Sequence, residues 1–163
     1  MTGSGIAVSA LILSGAMLIV KGYKRFCRER AELGQAFLEF IKFRGERIAR
    51  FSSPKSEICG KFESGILEDS GFLPSLRSGM SYLDSFISAK EKLPLSASAK
   101  GVLEASFRGM GSGYLSEERE KQRAMEAELS RLFAKEREEL ERDARVKSTL
   151  ILSAALGAVS LLL

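Results

Sequence analysis

Charge is missing from both ends of this chain. Residues 1–20 and 148–163 contain no Lys, Arg, Asp or Glu, and all 25 basic and 21 acidic side chains lie between Lys21 and Lys147. An uncharged stretch of that length either fills the core of a soluble protein or faces lipid. Ile6–Val20, extended back to Gly3 by small residues, gives about 18 uncharged positions and roughly 27 Å of helix, close to the ~30 Å hydrocarbon core of a bilayer. Ser148–Leu163 has 16 residues. At about 1.5 Å per residue it reaches only ~24 Å, so it must thin the bilayer, draw Lys147 in by snorkelling, or stop short. Uncharged runs at both ends of one short chain favour lipid over a single buried core helix. Transmembrane helices are therefore expected over residues 3–20 and 148–163, bracketing a polar body, residues 21–147.

The order of charges argues against a cleaved secretory signal. Such a signal places a basic segment before its apolar core, whereas here Met1–Gly5 carries no basic side chain and the basic cluster follows. Lys21, Lys24, Arg25, Arg28 and Arg30 come just after the first apolar run, and Arg142, Arg145 and Lys147 just before the last. Both body-side flanks are basic, so the positive-inside rule puts the body in the cytoplasm and both termini across the membrane.

The body's 127 residues suffice for one domain. Residues 21–55 carry ten basic and four acidic side chains, a balance of +6, while the rest of the body is close to neutral. An anionic membrane surface beside this basic end, at ~1 kcal/mol per basic group, accounts for it better than nucleic acid does. The chain has no histidine, and its two cysteines, Cys27 and Cys59, form no Cys-x-x-Cys pair. Common zinc sites and histidine-based acid/base chemistry are thereby excluded, and the thiols read as small packing residues.

No segment has the period-two alternation of a half-buried strand, so the body is expected to be an all-α helical bundle of five to six helices. Phe26, Leu33, Phe37, Phe40, Ile41 and Ile48 give Tyr23–Arg50 an apolar face, continuing the first apolar run, and Gly34 and Gly45 weaken this helix without ending it. Ser53 then serves as N-cap and Pro54 as first helical residue of a helix carrying Ile58, Phe62 and Ile66 and ending near Glu68–Gly71. The next, from Pro74 or Ser75, puts Leu76, Met80, Leu83 and Ile87 on one face and breaks at Pro94. Ser96 caps a helix with Ala99, Val102, Leu103 and Phe107, which stops at Gly109-Met110-Gly111-Ser112-Gly113. Ser116 reads as the N-cap of the last helix, with Glu117, Glu118 and Glu120 placed where the helix dipole favours acids. From Glu117 to Lys147 there is neither Gly nor Pro, so this helix should run into the second apolar stretch as one rod of more than forty residues. Met125, Leu129, Leu132, Phe133 and Leu140 mark its apolar side. Glu118 and Glu136 near seam positions favour packing within a bundle over a dimeric coiled coil.

No motif carries catalytic chemistry. Gly113 is followed by Tyr114-Leu115-Ser116, without the Lys-Ser or Lys-Thr of a phosphate-binding loop, and a helix precedes it where a strand is needed. Glu138, Glu139 and Glu141 read as a solvated face, not as metal ligands. Catalytic, cofactor-binding and metal residues are all expected to be absent.

The ordered set Phe43-Arg44-Gly45-Glu46-Arg47-Ile48-Ala49-Arg50-Phe51-Ser52-Ser53-Pro54, then Leu67-Glu68-Asp69-Ser70-Gly71-Phe72-Leu73-Pro74-Ser75-Leu76-Arg77, then Phe107 with the glycine stretch and Leu115-Ser116-Glu117-Glu118-Arg119-Glu120-Lys121-Gln122, between two apolar ends, resembles the stage III sporulation protein AB family. It departs from the family's usual pattern in a longer glycine stretch and in Lys121-Gln122 where Glu-Gln is common. The resemblance implies a non-enzymatic membrane component of the channel joining mother cell and forespore. It also implies a cytoplasmic domain similar to the platform protein of type II secretion and pilus systems, sited on the mother-cell side in the outer forespore membrane. The partners implied are the membrane, the cytoplasmic ATPase that is the AA component of the same operon, and other proteins of that operon. The body also suits a homo-oligomer. A membrane-anchored coiled-coil scaffold of the envelope or division apparatus is the alternative reading.

Loops on rigid helical scaffolds concentrate binding residues. Gly109, Gly111, Gly113, Glu117, Glu118, Glu120 and Gln122 are thus the expected partner-binding residues, with the acids matched to a basic surface on the ATPase or, equally, only capping the helix. The topology is directly testable. A Ser112→Cys chain in intact cells should resist impermeant thiol reagents applied from outside and react after permeabilisation; labelling in intact cells refutes the expected orientation.

Overall fold

A computed structural model describes residues 3–51, 53–110 and 115–162, and side chains within 5–50, 53–110 and 118–161 of these. The described residues form helices and no strand: α1 (Gly3–Phe51), α2 (Lys55–Lys61), α3 (Gly65–Asp69), α4 (Phe72–Arg77), α5 (Tyr82–Lys90), α6 (Ala97–Arg108) and α7 (Leu115–Leu162). As the pattern predicts, α1 and α7 are continuous, at 49 and 48 residues. The chain divides into two compact units, Met1–Glu29 with Glu136–Leu163, and Arg30–Lys135.

In the first unit, the ends of α1 and α7 bury little besides small residues. Ser9, Ala16, Val20 and Cys27 are buried on α1 at spacings of seven, four and seven, and Ala144, Ser148 and Ala155 on α7. Small side chains at a seam let two helix backbones come close, which is how helices associate where water supplies no driving force. The large apolar side chains turn outward instead: Leu11 is 72% exposed, Leu18 70% and Leu150 63%. Only 17% of the most apolar eighteen-residue window of α1, and 11% of that of α7, is buried, so neither is the enclosed helix of a soluble core. Both helices are long and apolar enough to cross a membrane. Below the second apolar stretch, Lys147 Nζ donates to Tyr23 Oη at 2.9 Å and stands 4.8 Å from the centre of its ring.

The second unit is built on the apolar stripe of α1. Leu33, Phe37, Phe40 and Ile41 recur at helical spacing and are buried. Phe37 meets Phe72 of α4 and Phe86 of α5 at ring-centre distances of 5.1 and 5.8 Å, both edge-to-face, and Phe40 meets Phe62 at 5.2 Å and Phe72 at 5.3 Å in the same geometry. Each such pair contributes about 0.5–1.5 kcal/mol beyond its area burial. Leu103 and Phe107 of α6 and Leu129 and Phe133 of α7 complete the core. α7 approaches α1 at two glycines. A Cβ at Gly34 would lie 2.6 Å from the Phe133 ring, and one at Gly45 2.7 Å from Glu126 Oε1 and 2.8 Å from Gln122 Cγ. These glycines are where the partner helix rests on α1.

Between α1 and α6 the structure corrects the sequence reading. Among the described residues there are seven helices in place of the five or six expected, because two expected helices are each split. The stripe Ile58, Phe62, Ile66 does not lie on one helix: Phe62 is extended, at φ −86°, ψ 128°, and α3 starts afresh at Gly65, with the Leu67 N–H facing Ser64 Oγ at 3.5 Å. The helix expected from Pro74 begins at Phe72 and ends at Arg77, two residues before Gly79, whose φ of +101° favours glycine, and α5 starts behind Ser81, whose Oγ accepts from the Asp84 N–H at 3.0 Å. The buried face of α5 is accordingly Tyr82, Ser85, Phe86 and Ala89, while Met80 and Ile87 are exposed. α2 starts one residue later than expected, with Pro54 and not Ser53 at the cap position, and α7 starts at Leu115, so Ser116 falls inside its first turn. Ser96 caps α6 as predicted, accepting from the Ala99 N–H at 2.9 Å.

Gly34→Ala, forced against the Phe133 ring, should lower stability by about 1–3 kcal/mol. Gly101→Ala, exposed in the middle of α6 with nothing near its Cβ, should raise it by about 0.5–1 kcal/mol. Thermal unfolding of the full chain in detergent checks both; a Gly34→Ala midpoint no lower than that of the unaltered chain would show that α7 does not rest on Gly34.

Candidate functional site

Arg44 continues the stripe of α1 one turn past Phe40 and Ile41, so burying that stripe buries a guanidinium. It is 2% exposed. An isolated charge there would be prohibitively costly, and its partners come from α7. Arg44 Nη2 donates to Glu118 Oε2 at 2.9 Å, and Nη1 to Gln122 Oε1 at 2.7 Å. The Gln122 amide turns its Nε2 to the Ile41 carbonyl at 2.6 Å and to Glu126 Oε1 at 3.0 Å. The guanidinium carbon also lies 5.1 Å from the centre of the Tyr82 ring, which Lys55 Nζ approaches at 5.3 Å from α2 while donating to the Met80 carbonyl. Burial pushes the Tyr82 hydroxyl above its usual range despite the pull of Arg44 beside it, so the phenol is neutral. The network joins α1, α5 and α7 through one charge.

Of the residues expected to bind a partner, the structure brings Glu118 and Gln122 together, and turns them inward to Arg44. Gln122 is buried, and the Glu118 side chain is 11% exposed. Glu120, two positions on, is exposed and apart from them. Gly109 closes α6 with its N–H on the Ala105 carbonyl at an ordinary φ of −81°. Gly111, Gly113 and the Glu117 side chain lie outside the described residues. Of these acids, Glu118 is drawn to Arg44 while Glu120 stays exposed. Arg44 itself was not singled out, although an arginine four places past a phenylalanine on an apolar stripe, facing a helix with Glu and Gln at i and i+4, is the pattern of a buried pair.

Beside the network, the end of α1 and the first turns of α7 enclose a groove of about 220 Å³ lined by Arg44, Arg50, Arg119, Arg123, Glu46 and Glu126 among others. Arg119 Nη2 donates across it to the Ala49 carbonyl at 2.8 Å. Among the described residues no three Cys, Asp or Glu side chains are placed to hold a metal ion together. In comparisons with known proteins, no family model, no curated protein and no solved structure matches the chain.

Glu118→Leu should strand the Arg44 charge and cost about 3–5 kcal/mol, and adding Arg44→Met should recover most of that loss. Equilibrium unfolding of the single and double variants measures the coupling; additive effects would show that the pair does not hold the helices together.

Proposed function

We propose that this chain is a non-enzymatic membrane component of a secretion-like channel, of the kind the stage III sporulation protein AB family supplies between mother cell and forespore. In this reading the apolar ends of α1 and α7 cross the membrane as a pair, and residues 30–135 stand in the cytoplasm as a helical platform for the ATPase of the same system. The observation that carries it is the outward-facing apolar surface of the first unit: large side chains such as Leu11, Leu18 and Leu150 have no protein to cover them, while the two helices meet through Ala16, Ala144, Ser148 and Ala155. Lipid covers such a surface at no cost, and water does not. Lys147, held to Tyr23 at the inner edge of the second stretch, suits the boundary between hydrocarbon and headgroups, where lysines and tyrosines anchor spans. The ordered motifs from Phe43 to Gln122 support the assignment to the sporulation apparatus.

An affinity-tagged chain, extracted in mild detergent from sporulating cells, should sediment with the membrane fraction and bring down a secretion-type ATPase encoded in its own operon. Recovery of division or envelope-organising proteins without the ATPase would overturn this function in favour of a membrane scaffold.

A further inference from the structure

The groove between the end of α1 and the start of α7 has a chemistry that neither the core nor the proposed platform role uses. Arg44 lines it, with both terminal nitrogens of its guanidinium engaged by Glu118 and Gln122. Around the rim stand Arg50, Arg119 and Arg123, all exposed. No described side chain pairs with Arg50 or Arg123, and Arg119 spends one N–H on the Ala49 carbonyl. The groove's acids are differently placed: Glu118 is taken up by Arg44, Glu126 accepts from Gln122, and Glu46 is exposed.

We propose that this groove docks an acidic peptide segment of a partner protein, with its carboxylates paired to Arg50, Arg119 and Arg123. A volume near 220 Å³ admits one or two side chains of Asp or Glu size, not a folded surface. Planar guanidiniums match carboxylates two bonds at a time, whereas Glu46 and Glu126 disfavour the higher charge of a phosphate monoester. Three rim cations from two helices also require α1 and α7 to be paired as they are, so the site exists only in the folded core. The sign of this surface is opposite to that expected from Glu117, Glu118 and Glu120: the partner contributes the acids.

The test uses the full chain in detergent and a fluorescein-labelled hexaglutamate peptide, with hexaglutamine as the uncharged counterpart, read by fluorescence anisotropy. Hexaglutamate should bind and hexaglutamine should not. Arg50→Ala/Arg123→Ala, which leaves Arg44, Glu118 and Gln122 in place, should weaken binding about tenfold or more with the thermal midpoint unchanged. Arg137→Ala/Arg142→Ala, removing the same charge elsewhere on α7, should leave binding intact. Equal loss in the two double variants would reduce the effect to net charge and overturn the site, as would hexaglutamate binding no better than hexaglutamine. Displacement of the peptide by equimolar glycerol 3-phosphate would assign the groove to phosphate and overturn it likewise. The readout is a peptide and not assembly, so any of these failures leaves the proposed channel role standing.

Discussion

A buried guanidinium governs the second unit. Phe37, Phe40, Ile41 and Arg44 share one face of α1, and the three apolar members cannot enter the core without taking the fourth with them. Once buried, Arg44 must be met by acceptors at fixed distances, and Glu118 and Gln122 meet it with one turn of α7. That requirement sets the register of α7 on α1 more sharply than apolar contact does, because hydrophobic packing tolerates a sliding helix and a bidentate charge does not. The glycines follow from the same constraint. With α7 fixed by Arg44, Gly45 and Gly34 are the places where the Gln122 and Phe133 side chains press on the α1 backbone.

The two units use opposite packing rules on the same pair of helices. Residues 30–135 enclose large aromatics that interlock edge to face and a polar network with matched partners. The terminal segments bury alanine and serine and present leucine outward. Each rule fits a different solvent. Where water is present, covering the largest apolar groups dominates; where it is not, close approach of backbones does.

Much of this was legible in the sequence where a signal extended over many residues. The continuity of α1 and α7 could be read from long stretches without proline and from charge that starts and stops sharply, and the buried faces of Leu33–Ile41 and of Leu129 with Phe133 from helical spacing alone. The breaks within the small helices were harder to see, for different reasons. Ser-Gly at 78 and 79, followed by Ser81-x-x-Asp84, is a stop and a start in plain view, outweighed by an apolar spacing that happened to continue through Met80. The break at Phe62 has only the weak local signal of Ser64-Gly65. It is held by Arg77, fifteen residues on in sequence, whose guanidinium donates to the carbonyls of Cys59 at 3.0 Å and Phe62 at 2.9 Å and pairs with Glu68, satisfying carbonyls at the end of α2. The site was missed for the same reason: acids at a helix start look solvated until the arginine 74 residues earlier is placed beside them.

The separation between Arg44 and its partners also orders events in time. The short helices from α2 to α6 also contact one another between near neighbours in sequence, contacts a growing chain can make as soon as each helix is complete. The seat of Arg44 cannot form until Gln122, 78 residues later, has been synthesised. Until then α1 carries a phenylalanine stripe ending in an unmatched cation, and the side of the core that Leu129 and Phe133 close is uncovered. The arrival of the last helix therefore both covers that stripe and neutralises its charge, so in the growing chain the two consequences come together.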